Sequence, residues 1–538
     1  MTQTAASASR SERFFNYTEN NPNTMTNNPH KPTSVNKIGG KNMTGICEVK
    51  KLVETLRDRN ENVILVVSAF DGVTNALLGA LNGLDGTDFD KTSIDQAFSK
   101  TKKLHDCIIE LHFTDMFSNR AKTTYQRKFN KLKQALLTHR NITNILSPIE
   151  GSFSIRDQVI GFGEAMGQEF LKIYLEQEGF EAETVTDINA DSDVLNGGGA
   201  ISNNKLHDAT RKGICKVLEA QVRNARNDVI KILGGHVGNM PRGIAIDVGR
   251  SYTDTTAINV ALVLREMVGE VITRVWKDVD GVMSTNPKDL KDPGKAIHHS
   301  KVDIWEGLEM ASAGSILMQI DALALAAEHG LNVSLRNIKK PNAPGTDFLN
   351  VRLGSSYSFK VIAVNPNVDS ISITLPEMAN RKGFGAAITG ILAHYGLSYD
   401  INPTGGTSMS FSITLPPDEA EQKIFRNRHI KPALRALKKL TVGGESFRTH
   451  EITWIRNNDR TAISLIGNEI SSHTTEIIGR MAIALSQKGI LIRSIVQDEK
   501  ARRITLLIDT NKREEAIRSL HTEFFEEPEG QEPEELVA

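Results

Sequence analysis

Two segments space charged side chains as an anionic ligand would need. In Val248-Gly249-Arg250-Ser251-Tyr252-Thr253-Asp254, Arg250 and Asp254 stand where a glycine turn runs into a helical pattern. A guanidinium is a planar fork suited to a carboxylate; an Asp at a helix start otherwise reads as a cap. Further on, Val275-Trp276-Lys277-Asp278-Val279-Asp280-Gly281-Val282 reads as a strand ending in an acidic loop. Upstream, Lys37-Ile38-Gly39-Gly40-Lys41-Asn42 sets a lysine beside paired glycines. Glycine lets backbone N–H groups approach phosphate oxygens without a Cβ clash, and Lys37 adds a full positive charge, although Gly-Gly is also a plain turn. Ser68 and Thr74 follow an apolar run, where hydroxyls either line a ligand crevice or serve a turn and a helix cap. Glu164 reads alone as a glutamate favoured by a helix N-terminus. Together these residues could hold an anion and a nucleotide.

The elements that must position them follow from the hydrophobic pattern. Val63–Val67 is a continuous apolar run, as a strand covered on both faces should be. Segments 270–276 and 331–336 read as further strands, and 254–268 and 302–313 as helices. Strand–helix alternation over 34–352 predicts a mostly parallel α/β domain with ligands at the carboxyl ends of its strands. Residues 88–148 interrupt the rhythm as a polar helical insertion. It holds His105, Asp106, His112 and Asp115, but the histidines lie two turns apart, which suits surface histidines better than a metal site. From 357 to 525 the style changes to two successive α+β patterns. The first (357–440) has strands over 370–375 and 408–413 around a helix over 385–395; the second (455–525) has strands over 462–466 and 503–508 around a helix over 476–488. Such an internal repeat indicates two small modules of one type.

The chain has 538 residues, too many for one core, and is 39% hydrophobic and 24% charged, as soluble globular proteins are. With 64 basic against 65 acidic residues no bulk field favours nucleic acid or an anionic membrane. The basic run 426–439 lacks interleaved aromatics and reads as a solvated helix face. Cys47, Cys107 and Cys215 form no disulfide framework, and no apolar run reaches membrane-spanning length, so a cytoplasmic protein is expected. Residues 1–33 read as a disordered tail and 526–538 as a solvated acidic one.

The motifs, in their order, resemble those of aspartate kinases across about residues 34–525. Lys37, Gly39 and Gly40 match the KFGGTS loop, with Lys41 and Asn42 in place of Thr and Ser. Ser68 and Thr74 match VVSAxxGVTN, and Arg156–Glu164 matches RDxxxSFGE with Gly161 for Ser. Arg250 and Asp254 match GRGGSD, with Ser251-Tyr252 for Gly-Gly and Thr253 for Ser. Asp278, Asp280 and Gly281 match WTDVDGVYTxDPR, with Met283, Asn286 and Lys288 for Tyr, Asp and Arg. In the later EAxELAxxGAKVLHP-like segment, Ile316 replaces Lys and Gln319-Ile320 replaces His-Pro.

The resemblance implies an amino-acid-kinase domain followed by two ferredoxin-like ACT domains. It also implies phosphoryl transfer from ATP, with Mg²⁺, to the side-chain carboxylate of L-aspartate in the pathway to lysine, threonine and methionine. It assigns Lys37 and Asp254 to catalysis, and Ser68, Thr74, Glu164 and Arg250 to the substrate, with Glu164 taking the α-ammonium. ATP falls to Lys37, Gly39, Gly40, Lys277, Asp278, Met283 and Lys288. Met378, Phe384, Tyr399 and Asp400 fall at the ligand positions of a lysine-binding ACT module, which implies amino-acid feedback and at least a homodimer. The substitutions at Lys41, Asn42, Met283, Ile316 and Gln319 leave open a second reading: a catalytically weakened paralogue that senses amino acids.

Overall fold

The structure, a computed structural model, describes residues 31–526 apart from 83–90, 144–149, 197–201, 223–227, 241–242, 245–247, 249–251, 316–317, 354–358, 380, 401–402, 417–418, 448–450, 457–458 and 498–501. Arg250, Ile316 and most of both predicted tails lie outside the described residues. Among those described, no helix is long and apolar enough to cross a membrane.

β1 (Thr33–Ile38) and β2 (Asn62–Val67) pair in parallel, and β3 (Ala182–Val185), β4 (Ile230–Gly234) and β5 (Val271–Lys277) extend the array. A short ribbon of β6 (Val282–Met283) and β7 (His298–His299) follows β5. β8 (Lys301–Asp303), β9 (Val333–Asn337) and β10 (Thr346–Leu349) complete a sheet of order β3-β4-β2-β1-β5-β9-β10-β8, antiparallel only between β9 and β10. The strands are buried almost throughout because helices cover both faces; Val63–Val67 is a core run, as its composition predicts. The helix Tyr252–Val268 is buried from Tyr252 to Leu264 and packs on β1 and β5. Such a helix is enclosed all round and carries its first turn to the carboxyl ends of the strands.

The insertion is a pair of helices, Lys91–His112 and Asp115–Thr143, the second lying along the helix Glu150–Gln177. His105 corrects the surface reading. It is fully buried, its ring packed near Phe70, Tyr125, Phe162 and Phe170. Burial pushes its imidazole down to about 4, partly countered by its bond to the Thr101 carbonyl at 2.8 Å and by Asp106. It is therefore a neutral core residue that anchors the insertion, and no group of three or more potential metal ligands occurs among the described residues.

The C-terminal region also departs from a simple succession of two repeats. β11 (Val361–Asn365) precedes the first module, β12 (Val368–Thr374) and β13 (Ser408–Thr414) open it, and β14 (Leu440–Val442) and β15 (Glu445–Phe447) form a hairpin. β16 (Glu451–Ile455) pairs with β12 and closes the first module. β17 (Arg460–Ile466), β18 (Ser494–Gln497) and β19 (Arg503–Asp509) then build a sheet of order β11-β17-β19-β18. The second module thus takes its edge strand from before the first, and the first is an insertion within the second. The predicted boundaries at 357, 440 and 455 shift accordingly: 361–365 belongs with 460–525, and 451–455 with 368–437. Both modules keep the strand–helix–strand order and a separate core. Glu526 is not simply solvated, since it pairs with Lys295 and with His521.

Candidate active site

The site lies where β1, β2, β4 and β5 end side by side. Lys37, near the end of β1, is buried, and its Nζ lies 2.5 Å from Asp254 Oδ1. Burial alone would raise the Asp254 carboxyl; the ammonium groups of Lys37 and Lys277 outweigh it and hold the group below its usual range. Lys277 ends β5. Burial pushes its ammonium down to about 8, against the opposing pull of Asp254 and Asp278 and with the repulsion of Lys37. Asp254 is further held by the backbone N–H of Gln319, which reaches Oδ2 at 3.1 Å, while Thr255 donates to Gln319 Oε1 at 2.5 Å. Asp254 is thus the buried counter-ion of two lysines. Two ammonium groups around one carboxylate leave positive charge for an anion.

Gly39 caps the short helix Gly40–Thr44, which starts directly after Lys37-Ile38. A Cβ on Gly40 would sit 2.6 Å from the Ala69 carbonyl oxygen, so only glycine lets the loops after β1 and β2 meet. Beyond it, Lys41 donates to Asp278 at 2.5 Å and holds that carboxyl below its usual range, tying the glycine loop to the loop after β5. Asp280 serves the frame instead: it accepts from Asn337 at 2.6 Å and Lys340 at 2.9 Å. Gly281, at φ +131, could carry no side chain, because a Cβ would meet Thr346 Oγ1 at 2.5 Å. Met283 lies in β6, half-buried, and Lys288 is exposed in a 3₁₀ turn that Asn286 caps.

On the other side, the Ser68 hydroxyl donates to Thr253 Oγ1 at 2.9 Å, and the Thr253 hydroxyl to Glu164 Oε1 at 3.2 Å. Glu164 is buried, its Oε2 without a hydrogen-bond partner among the described residues. Burial pushes its carboxyl up to about 7, partly offset by the charge of His236 and by hydrogen bonds from Tyr252 and Thr253. Glu164 lines a cavity of about 560 Å³ with Asp157, Gly161, Gln168 and His236. The His236 ring lies where a Cβ on Gly161 would fall, at 2.8 Å. Thr74 stands half-buried in the first turn of the helix Val73–Asn82.

Residues 32–337 match the Amino acid kinase family, and residues 463–524 the ACT domain. The chain belongs to the amino acid kinase family. Aspartokinase 1, chloroplastic, of Arabidopsis thaliana is 25% identical over 504 residues, covering 92% of this chain and 80% of that protein. Lysine-sensitive aspartokinase 3 of Escherichia coli is 21% identical over 504 residues, covering 91% and 99%. The crystal structure of E. coli aspartokinase III in complex with lysine and aspartate has the same fold, with a TM-score of 0.66 at 18% identity over 92% of this chain and all of that one.

In this amino acid kinase, Lys37 and Lys277 meet Asp254, and Ser68 and Glu164 meet the neighbouring Thr253, so both sets gather at the start of one helix, with Gly39 and Gly40 directly after Lys37-Ile38. Gln319, Thr253 and Tyr252 join them. They are placed by the helix Tyr252–Val268 and the turn before the helix Ile320–Glu328, and only tertiary packing brings them there. The four residues matched to an effector site divide. Phe384 is buried in the first module's core and Met378 packs against that core, so Phe384 is a core residue before it is a ligand wall. Tyr399 and Asp400 are at the surface, Tyr399 edge-on to Phe411 at 5.0 Å.

Proposed function

We propose that this amino acid kinase transfers the γ-phosphoryl group of ATP to the side-chain carboxylate of L-aspartate, giving 4-phospho-L-aspartate and ADP, and that its ACT modules return amino-acid feedback. The observation that carries this reading is the buried Lys37–Asp254–Lys277 group after β1 and β5, joined through the adjacent Thr253 and Asp254 to the Ser68–Thr253–Glu164 chain. The first set suits a polyphosphate and the second an amino-acid head.

A carboxylate oxygen of aspartate attacks the γ-phosphorus as the bond to the bridging oxygen of ADP breaks. The nucleophile is ionised near neutrality, its reference pKa being ~3.9, so no general base is needed. Catalysis is then positioning and charge neutralisation. Lys37, oriented by Asp254, and Lys277 offset charge on the phosphates, and the N–H groups after Gly39 approach them. Glu164 takes the substrate ammonium and Arg250 its α-carboxylate; Ser68 and Thr74 complete the substrate side. Asp278, Met283 and Lys288 border the nucleotide. Mg²⁺ bound with ATP would add charge neutralisation on the phosphates to that supplied by Lys37 and Lys277. By the same reading the chain forms at least a homodimer through its ACT modules.

The test is ATP consumption with L-aspartate, the acyl phosphate being trapped as its hydroxamate. Mg²⁺-dependent hydroxamate above a Lys37→Ala control is expected. None from folded protein would replace the enzyme reading with that of an amino-acid sensor.

A further inference from the structure

The Asp400 carboxylate, which the effector reading offers to a ligand ammonium, already has a cation. Arg503, the first residue of β19, donates from Nη2 to Asp400 Oδ1 at 2.8 Å. Its Nη1 donates to Ser312 Oγ at 2.9 Å, and its Nε lies 3.5 Å from Glu309 Oε2. One guanidinium therefore joins the first ACT module, the second, and the last turn of the kinase helix Ile304–Ser312. Its side chain is 16% exposed and that of Asp400 28%, so the pair is partly shielded from water but open to a small ligand.

The preceding residue braces the contact at the other end of the same helix. Arg502 Nε donates to Asn468 Oδ1 at 2.7 Å, and Asn468 donates from its backbone N–H to Glu306 Oε1 at 2.8 Å and from Nδ2 to Asp303 Oδ2 at 3.1 Å. Asp303 and Glu306 form that helix's capping box. Asn468, braced by Arg502, and Arg503 thus tie the two ends of one kinase helix to the second module, and a few residues beyond that helix Gln319 holds Asp254.

We propose that Arg503 is a tethered competitor for the effector position, so that a ligand bearing an ammonium group reaches Asp400 only by displacing the guanidinium. Displacement removes the ion that Glu309 and Ser312 share with Asp400 and so frees the carboxyl end of the helix Ile304–Ser312. The proposal rests on the effector reading of Asp400. The ligand's effect on catalysis is bounded by its differential affinity for the tied and released states, and the coupling is reciprocal. Removing Arg503 should therefore tighten ligand binding and weaken its effect on activity, a combination that loss of an ordinary ligand contact does not produce.

The experiment titrates L-lysine into full-length wild type, Arg503→Gln and Arg503→Lys by calorimetry, and measures inhibition of hydroxamate formation in each. Arg503→Gln is expected to bind lysine at least fivefold more tightly than wild type while losing most of the inhibition at saturation. Arg503→Lys, which keeps a charge but not the fork, should fall between and controls for misfolding. Equal dissociation constants in wild type and Arg503→Gln, or tighter binding with full inhibition, would overturn the proposal and leave the effector reading standing. No lysine binding in either protein would remove both.

Discussion

Single side chains set the pH behaviour of the site. Glu164 is raised to about 7, so its ionised form is lost as pH falls through that value. If the ionised form holds the substrate ammonium, kcat/KM for aspartate should rise from pH 6 to pH 8, and Glu164→Gln should flatten that limb and weaken aspartate far more than ATP. Lys277, lowered to about 8, acts in the opposite sense. Its charge fades as pH climbs through that value, so kcat/KM for ATP should decline on the alkaline side, and Lys277→Met should abolish the decline. A pH profile with aspartate and ATP varied in turn separates the two limbs. Lys37→Ala removes the cation that the proposed reaction sets against the phosphates and is expected to lower kcat by roughly 10²–10³-fold, the usual scale for losing one such donor. Asp254→Asn, which frees Lys37 from its partner, should also cost activity, read as a fall in kcat larger than any change in KM for aspartate.

At the scale of elements, the turns after β1 and β5 depend on close approach. Gly40→Ala would press a methyl group against the Ala69 carbonyl, and separation of the two loops should weaken ATP binding with little change in aspartate affinity, as equilibrium titration of each ligand would report. Much at this scale was legible in the sequence. β2, β5 and β9 are apolar or β-branched runs, and Lys37, Gly39, Gly40 and Lys277 sit where strands end, the places where parallel sheets bind ligands, while Asp254 opens a helical pattern. What escaped depends on distant partners. His105 sits among Lys102, Lys103 and Asp106, so its sequence neighbours look solvated, yet Phe98, Thr101, Ile108 and Ile109 share its buried face at helical spacing. That stripe was the available signal; the Phe70, Phe162 and Phe170 rings come from other elements. Thr253 and Gln319 showed only as substitutions within motifs, because a hydroxyl in a first helical turn or an amide before a helix reads by itself as local capping. The exchange of β11 and β16 between modules was equally hidden, since hydrophobic alternation identifies a strand but not its partner.

Across the whole molecule, the kinase domain and the second module share buried polar contacts at one joint. Lys360 donates to Glu306 Oε2 at 2.8 Å with both side chains buried. Lys360→Met would strand the Glu306 carboxylate, and breaking a buried pair in this way typically costs ~3–5 kcal/mol. A lower midpoint of urea unfolding and faster hydrogen exchange in the helix Ile304–Ser312 are expected. The same joint bears on how the chain is made. β11 leaves the ribosome before its strand partner β17 exists, and residues 366–459 must be synthesised in between. At ~5–20 residues per second that is a wait of roughly 5–20 s with an unpaired edge. The kinase domain can shelter the strand meanwhile: the Ile362 N–H donates to the Ser284 carbonyl at 2.7 Å, and Val361 and Ala363 pack into the kinase core while Ile362 faces the core of the second module. The kinase domain thus offers β11 a docking surface ahead of its sheet partner, and a nascent chain stalled just after the first module is expected to keep that strand docked on the kinase with one edge open.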